Sequence, residues 1–170
     1  MPVLVSGPPE PARAAIEGLR LRLDLPESFP DVVLAEADLS HLRADGLTLR
    51  DVDLREAKLV DLDWVNCTLA DVRMRGAVVS GATLRMCTLE RVQATSCDLR
   101  GAKLENCDAQ GIALDGADLS GGSLVDTDLT RATLRGTILR DIDASGASFR
   151  GADLRGADLR GSSFVDADLR

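Results

Sequence analysis

Four cysteines, at 67, 87, 97 and 107, come nearest in type and spacing to residues that could do chemistry. Cys67, Cys87 and Cys107 are separated by twenty residues each, and a column of stacked thiols would suggest a metal or redox site. Zinc, however, wants four convergent ligands, and the single histidine of the chain, His41, does not share the column. Parallel stacking at a constant interval also does not suit the geometry of a disulfide. The cysteines therefore read as small buried hydrophobes, all reduced. His41 has no Ser or Cys nucleophile at motif spacing and reads as a solvated corner residue. Recurrent aspartates, such as Asp98 and Asp118 or Asp153 and Asp158, raise the question of calcium. Calcium β-rolls use a nine-residue repeat, so these aspartates read first as turn formers. With no glycine motif to cradle a phosphate, the reading is of no enzyme, no metal and no cofactor.

What positions all of these residues is a period of five. The stretch Gly151–Arg160 reads GADLRGADLR, and its phase holds back to Val32, giving 28 units with no insertion. With the central residue of each unit called i, at 34, 39, 44 and so on to 169, nineteen of the 28 centres are Leu. Position i−2 is small or branched, with eleven Ala and four Cys, and no charge occurs at i or i−2. Charge fills i−1, i+1 and i+2 in a chain that is 28% charged. Two positions of each unit therefore point inward and three face water.

Five fits neither the 3.6 period of a helix nor the 2.0 of a flat strand. Each unit must be a short extended piece followed by a corner, and four corners close a square coil in twenty residues. Residues twenty apart should then stack and resemble one another. One i−2 column reads Val32, Val52, Val72, Val92, Ile112, and another reads Ala37, Ala57, Ala77, Cys97, Ala117. Like side chains at matched sites of neighbouring strands pack well. The 28 units make about seven four-sided coils, a rod of roughly 34 Å at one strand spacing per coil. Eleven i−1 residues are Asp, eight are Ser or Thr, and twelve i+2 residues are Gly, all corner chemistry. Where the centre shrinks to Ala44, Ala94 or Ala144, the i−2 residue is Leu42, Val92 or Ile142, which reads as volume compensation.

Composition agrees. Hydrophobic residues make up 45% of the 170 but aromatics only 2%, so the core is built from Leu, Ala and Val. The net charge of −8 disfavours direct nucleic-acid binding. No apolar run approaches the roughly 18 residues of a membrane span. The start lacks the basic and apolar regions of a signal peptide, so the expected location is cytoplasmic. Residues 1–31 lie outside the repeat and read as a cap for the first coil. A short strand is expected at Val3–Val5, a helix over 11–17 and a strand over 19–25.

The in-phase Ala-Asp-Leu-Arg-Gly unit resembles the pentapeptide-repeat family, whose consensus is A(D/N)LXX, over Val32 to Arg170. The resemblance implies an all-β fold, a right-handed quadrilateral β-helix, over 32–170. It also implies a non-enzymatic protein-binding role. Characterised bacterial members often protect DNA gyrase or topoisomerase IV from quinolones or natural-product poisons by mimicking duplex DNA. They are often dimers joined at their C-terminal ends. Two departures stand out. No projecting loop interrupts the coils, and no C-terminal helix follows the last unit at Arg170. The alternative expectation is a structural or adaptor scaffold with no topoisomerase role.

The candidate interaction face is the one centred on 44, 64, 84 and so on, whose i−1, i+1 and i+2 positions sum to −3. It carries Asp45, Asp63, Glu105, Asp126, Asp143 and Asp166, with Val65, Met86, Val125 and Val165 pointing outward. A mixed acidic and apolar strip reads as a protein-binding surface. The last coil, with Leu154, Leu159, Phe164 and Leu169 at its centres, presents an open solenoid end. That end is expected to pair in a two-fold homodimer. Light scattering at micromolar concentration should return the mass of two chains; the mass of one chain would remove the dimer.

Overall fold

The computed structural model describes residues 34–170 and, as backbone, Val3–Leu4 and Val32–Val33. The helix expected over 11–17 and the strand over 19–25 lie outside the described residues. The corners come first, because they set the path of the chain. Every i+2 residue from Glu36 to Asp166 has a positive φ, between 52° and 76°. Twelve of these are Gly and fifteen carry side chains, the latter strained by about 1 kcal/mol each. In most corners the N–H of residue i+3 donates to the carbonyl of residue i, as from Ala117 to Leu114 and from Ala132 to Leu129, both 3.0 Å. A turn with its third residue left-handed is type II.

Successive coils are joined in parallel at a register of twenty. Four ladders run the length of the repeat. One links Asp38, Lys58, Val78, Asp98, Asp118, Ile138 and Asp158. The next contains β3 (Arg43–Asp45), β5 (Asp63–Val65), β7 (Thr83–Arg85) and β9 (Lys103–Glu105), stacked in that order. The third contains β4 (Thr48–Arg50), β6 (Thr68–Ala70) and β8 (Thr88–Glu90). The fourth runs through Asp53, Arg73, Gln93, Ala113, Thr133 and Asp153. The chain is thus an all-β, four-sided parallel solenoid, with no helix among the described residues. Three-residue strands occupy only the coils between 43 and 105; elsewhere the coils stack by single bridges. Below the first coil, β1 (Val3–Leu4) pairs in parallel with β2 (Val32–Val33).

Each pentapeptide has a destination for its five N–H groups. Those of i and i+2 donate to the following coil, as Leu134 to Asp153 (2.9 Å) and Gly136 to Arg155 (3.0 Å). That of i−1 donates to the preceding coil, as Asp153 to Ala132 (2.9 Å), and that of i−2 closes the turn. Where coils stack by single bridges the N–H of i+1 is left over, and an aspartate at i−1, in the units that have one, accepts it. Asp118 accepts from Ser120 at 2.9 Å, Asp128 from Thr130 at 2.9 Å and Asp143 from Ser145 at 3.0 Å. This is the physical content of the Asp preference at i−1, since a buried or half-buried amide left unpaired is costly.

The interior is as the period predicts. Every i and i−2 residue from Leu34 to Phe149 is buried except Leu42, which is half-buried. Three residues expected to face water do not: Ser40, Asp53 and Ala70 are buried too. Asp53 is tolerated inside because Arg55 binds its carboxylate through Nε at 2.9 Å and Nη2 at 2.7 Å. Trp64 stacks on Ala44, large over small, with its indole N–H unpartnered among the described residues. The packing of the central coils is not complete. Ala94 and Val92, with Met74 and Leu114, still border an apolar cavity of about 30 Å³, a loss of order 1 kcal/mol.

Corners also couple between coils. The carboxylates of Glu56, Asp61, Asp126 and Asp141 occupy the space a β-carbon would need on Gly76, Gly81, Gly146 and Gly161 of the following coil. Gly111 has the same left-handed backbone but open space around it. Gly111→Ala should therefore cost only the backbone strain, about 1 kcal/mol. Gly81→Ala should cost slightly more, because the exposed Asp61 carboxylate must also swing aside. Urea midpoints of the two variants check the order; equal losses would show that the carboxylate contact contributes nothing.

Candidate interaction face

The ten residues singled out on sequence lie in a single ladder, the one built on β3, β5, β7 and β9. Asp45, Val65, Arg85 and Glu105 are stacked rung on rung, and Asp63 belongs to the column of Thr83 and Lys103 on the same strands. Bridges continue that column through Ser123 and Asp143 to Ser163, which carries the register to Val125, Val165, Asp126 and Asp166. Met86 is 57% exposed and Val165 62%, while Val65 and Val125 are half-buried. The carboxylates divide into two kinds. Asp63 pairs with Arg85 at 3.3 Å, Asp45 accepts from Asn66 at 3.0 Å, and Asp143 accepts the Ser145 hydroxyl at 2.6 Å. Asp45, Glu105, Asp126, Asp143 and Asp166 have no cation within ion-pair distance among the described residues.

The cysteines lie inside this face, at its i−2 positions, and have a structural task that the sequence reading missed. After β3, β5, β7 and β9 the corner lacks the turn hydrogen bond among the described residues; the strand register instead gives the central carbonyls of Ala44, Trp64 and Leu84 an N–H on the next coil. A thiol from the following coil adds a second, weak donor to the same carbonyl. Cys67 reaches Ala44 (3.7 Å), Cys87 reaches Trp64 (3.5 Å) and Cys107 reaches Leu84 (3.4 Å). On the next rung Thr127 gives its hydroxyl to Leu104 in the same way. The Cys-Cys-Cys-Thr order of the column is the signal, since all four side chains are small inward donors. All four cysteines are free. Burial pushes Cys97 up to about 11. Hydrogen bonding with the Cys107 thiol, together with burial, takes Cys87 to about 11. These are protonated thiols at neutral pH and poor nucleophiles. His41 is an exposed corner residue 3.8 Å from the carboxylate of Asp61. Among the described residues no group of three His, Cys, Asp or Glu could hold a metal ion.

The final coils carry a second arrangement unseen in the sequence. Each aspartate of an Ala-Asp-Leu-Arg unit is gripped by two arginines, one from its own unit and one from the coil before. Asp153 lies 2.7 Å from Arg155 and 2.5 Å from Arg135. Asp158 lies 2.7 Å from Arg160 and 2.6 Å from Arg140. Asp168 lies 2.7 Å from Arg170 and 3.7 Å from Arg150. These clamps divide the charge along the axis. Residues 34–130 hold seventeen acidic and ten basic side chains, whereas residues 131–170 hold six acidic and seven basic.

The clamps make a pH prediction. Hydrogen bonds from Arg155 and Arg135 hold Asp153 well below the usual carboxylate range, and Arg160 and Arg140 do the same for Asp158. Hydrogen bonds from Arg170 lower Asp168 similarly. A carboxylate whose folded pKa is depressed adds stability above its unfolded value of about 3.9 and loses it as pH falls further. Urea unfolding should therefore weaken on acidification below about pH 4. In the triple variant D153N, D158N, D168N that dependence should shrink. All the partners are solvent-exposed, so high salt should shrink it as well. An unchanged acid limb in the triple variant would rule the clamps out as its source.

The geometry can be set beside known proteins. The family described as "Pentapeptide repeats (8 copies)" matches residues 48–85, 97–136 and 137–170. No curated protein matches the chain. Among solved structures, a trypsin-treated variant of QnrB1, a plasmid-mediated fluoroquinolone resistance protein, aligns with a TM-score of 0.50 at 18% identity, over 81% of this chain and 79% of that one. A pentapeptide repeat protein (Rfr23) from the cyanobacterium Cyanothece 51142 aligns with a TM-score of 0.34 at 20% identity, over 91% and 99%. A pentapeptide repeat protein from the Arabidopsis thaliana thylakoid lumen aligns with a TM-score of 0.31 at 20% identity, over 81% and 68%. From the five-residue phase, the twenty-residue ladder and the family match over most of its length, this chain belongs to the pentapeptide-repeat family.

Proposed function

We propose that the chain is a non-enzymatic protein–protein interaction solenoid of the cytoplasm. Its most specific reading is a DNA-mimic modulator of a type II topoisomerase, gyrase or topoisomerase IV, of the kind that confers quinolone or natural-product resistance. The observation that carries it is the stacked face of β3, β5, β7 and β9. There, and where single bridges continue the ladder, Asp45, Glu105, Asp126, Asp143 and Asp166 present carboxylates with no cation within ion-pair distance among the described residues, and Met86 adds an exposed apolar contact. The excess negative charge lies in residues 34–130, at roughly one charge per 3 Å of axis for a strand spacing per coil. Duplex DNA carries one per about 1.7 Å, so this stretch reaches about half that density, and Asp143 and Asp166 extend the acidic strip among the clamped coils. The fold shared with QnrB1, a plasmid-mediated fluoroquinolone resistance protein, sets the choice of partner to test. The last coil, where Leu159, Val165 and Leu169 are exposed, is proposed as the surface that joins a second copy.

A scaffold role without a topoisomerase partner is favoured by the clamps, in which acidic side chains are neutralised within the chain. Gyrase supercoiling assays with and without a quinolone separate the two. The expected outcome is a dose-dependent change in supercoiling, or relief of quinolone inhibition, weakened by E105Q together with D126N. No effect at large molar excess would sink the topoisomerase reading and leave the scaffold.

A further inference from the structure

At a corner near the C-terminal end the charge of the rod changes sign. Thr130, Arg131, Arg150, Gly151 and Arg170 line a groove of about 500 Å³. The ladder holds the three arginines on adjacent coils. The N–H of Arg131 donates to the carbonyl of Arg150 at 2.8 Å, and that of Gly151 to the carbonyl of Arg170 at 2.7 Å. Gly151, at φ +63°, has no side chain, and only the Cγ of Arg131 comes within 3.8 Å of where a β-carbon would stand. The floor between the guanidiniums is therefore a notch. On one wall the Thr130 hydroxyl shares a hydrogen bond with that of Ser148 at 3.1 Å.

The balance of charge in the groove is unlike that of its neighbours. Arg135, Arg140, Arg155 and Arg160 each lie within 2.7 Å of a carboxylate. Arg131 has no carboxylate within ion-pair distance among the described residues. Arg150 stands 3.7 Å from Asp168, whose carboxylate Arg170 already binds at 2.7 Å. Three guanidiniums thus share one side-chain carboxylate, that of Asp168. Guanidinium groups recognise oxyanions through paired, charge-assisted hydrogen bonds. A phosphate-type group, with three or four acceptor oxygens, can take hydrogen bonds from more guanidiniums at once than a carboxylate with two.

We propose that the Gly151 notch binds a phosphate-type oxyanion, taken either as the free ion or as the phosphomonoester of a docked protein side chain. The site is separate from the acidic face and does not rest on the topoisomerase reading. The test is a titration of the ¹⁵N-labelled full-length chain with inorganic phosphate, with ionic strength held constant by sodium chloride, following the amides of Gly151 and Arg131. The expected result is a saturable response confined to this corner. Arg131→Gln and Arg150→Gln should each weaken it roughly tenfold, the scale of a hydrogen bond to a charged group. Arg75→Gln, on an exposed arginine of another corner, should leave it unchanged. All three substitutions are on exposed side chains, so folding is preserved. A phosphoserine peptide that binds more tightly than inorganic phosphate assigns the protein-borne source, and equal binding assigns the free ion; either supports the site. A response that never saturates, or one that survives Arg131→Gln intact, overturns it.

Discussion

Every coil of this molecule depends on its neighbours for its backbone hydrogen bonds. Within a pentapeptide only the turn is closed internally; the N–H groups of i−1, i and i+2 all reach to another coil. A single coil could satisfy none of these and would bury its leucines against nothing. The register of twenty is therefore the constraint from which the rest follows, and stacking is the source of both the sheet and the core. The strain of fifteen side chains held at positive φ is accepted because the ladder over-determines each corner.

The same constraint narrows the interior to two side chains per unit and makes their polarity useful. An inward cysteine or threonine costs little volume, and it can add a hydrogen bond to a carbonyl of the preceding coil, as Cys87 and Thr127 do for Trp64 and Leu104. The thiols are components of the backbone's hydrogen-bond accounting. Outside, the corner aspartates serve the same accounting from the opposite side, by accepting the i+1 amide. Much of the molecule's acidity is therefore a by-product of making turns. What is left for a partner is the smaller set of carboxylates that no arginine has claimed.

The fold was legible because its evidence is repeated in every unit. Columns such as Val52, Val72, Val92 needed only the correct period to become stacked rungs. The grouping of Asp45, Glu105, Asp126 and Val165 on one face followed from the same count. Other features were hidden for definite reasons. Burial of Asp53 depends on how Arg55 folds over it, a choice of side-chain conformation that no periodicity encodes. The arginine clamps span eighteen residues, from i+1 of one coil to i−1 of the next, an offset that has meaning only after the square cross-section is known. The small void of the central coils, bordered by residues from Leu59 to Leu114, depends on side-chain conformations that the column pattern does not encode.

The core and the surface of this rod count differently. Inside, one unit is nearly interchangeable with the next, because each offers a small residue and a leucine. Outside, identity returns only after twenty residues. Loss or gain of one pentapeptide would leave the interior almost undisturbed while turning everything beyond it by a quarter of a revolution. An acidic strip would then continue around the edge, and the clamps would face a new direction. Such a chain can explore new surfaces by slippage in multiples of five, with its hydrophobic interior indifferent to the change.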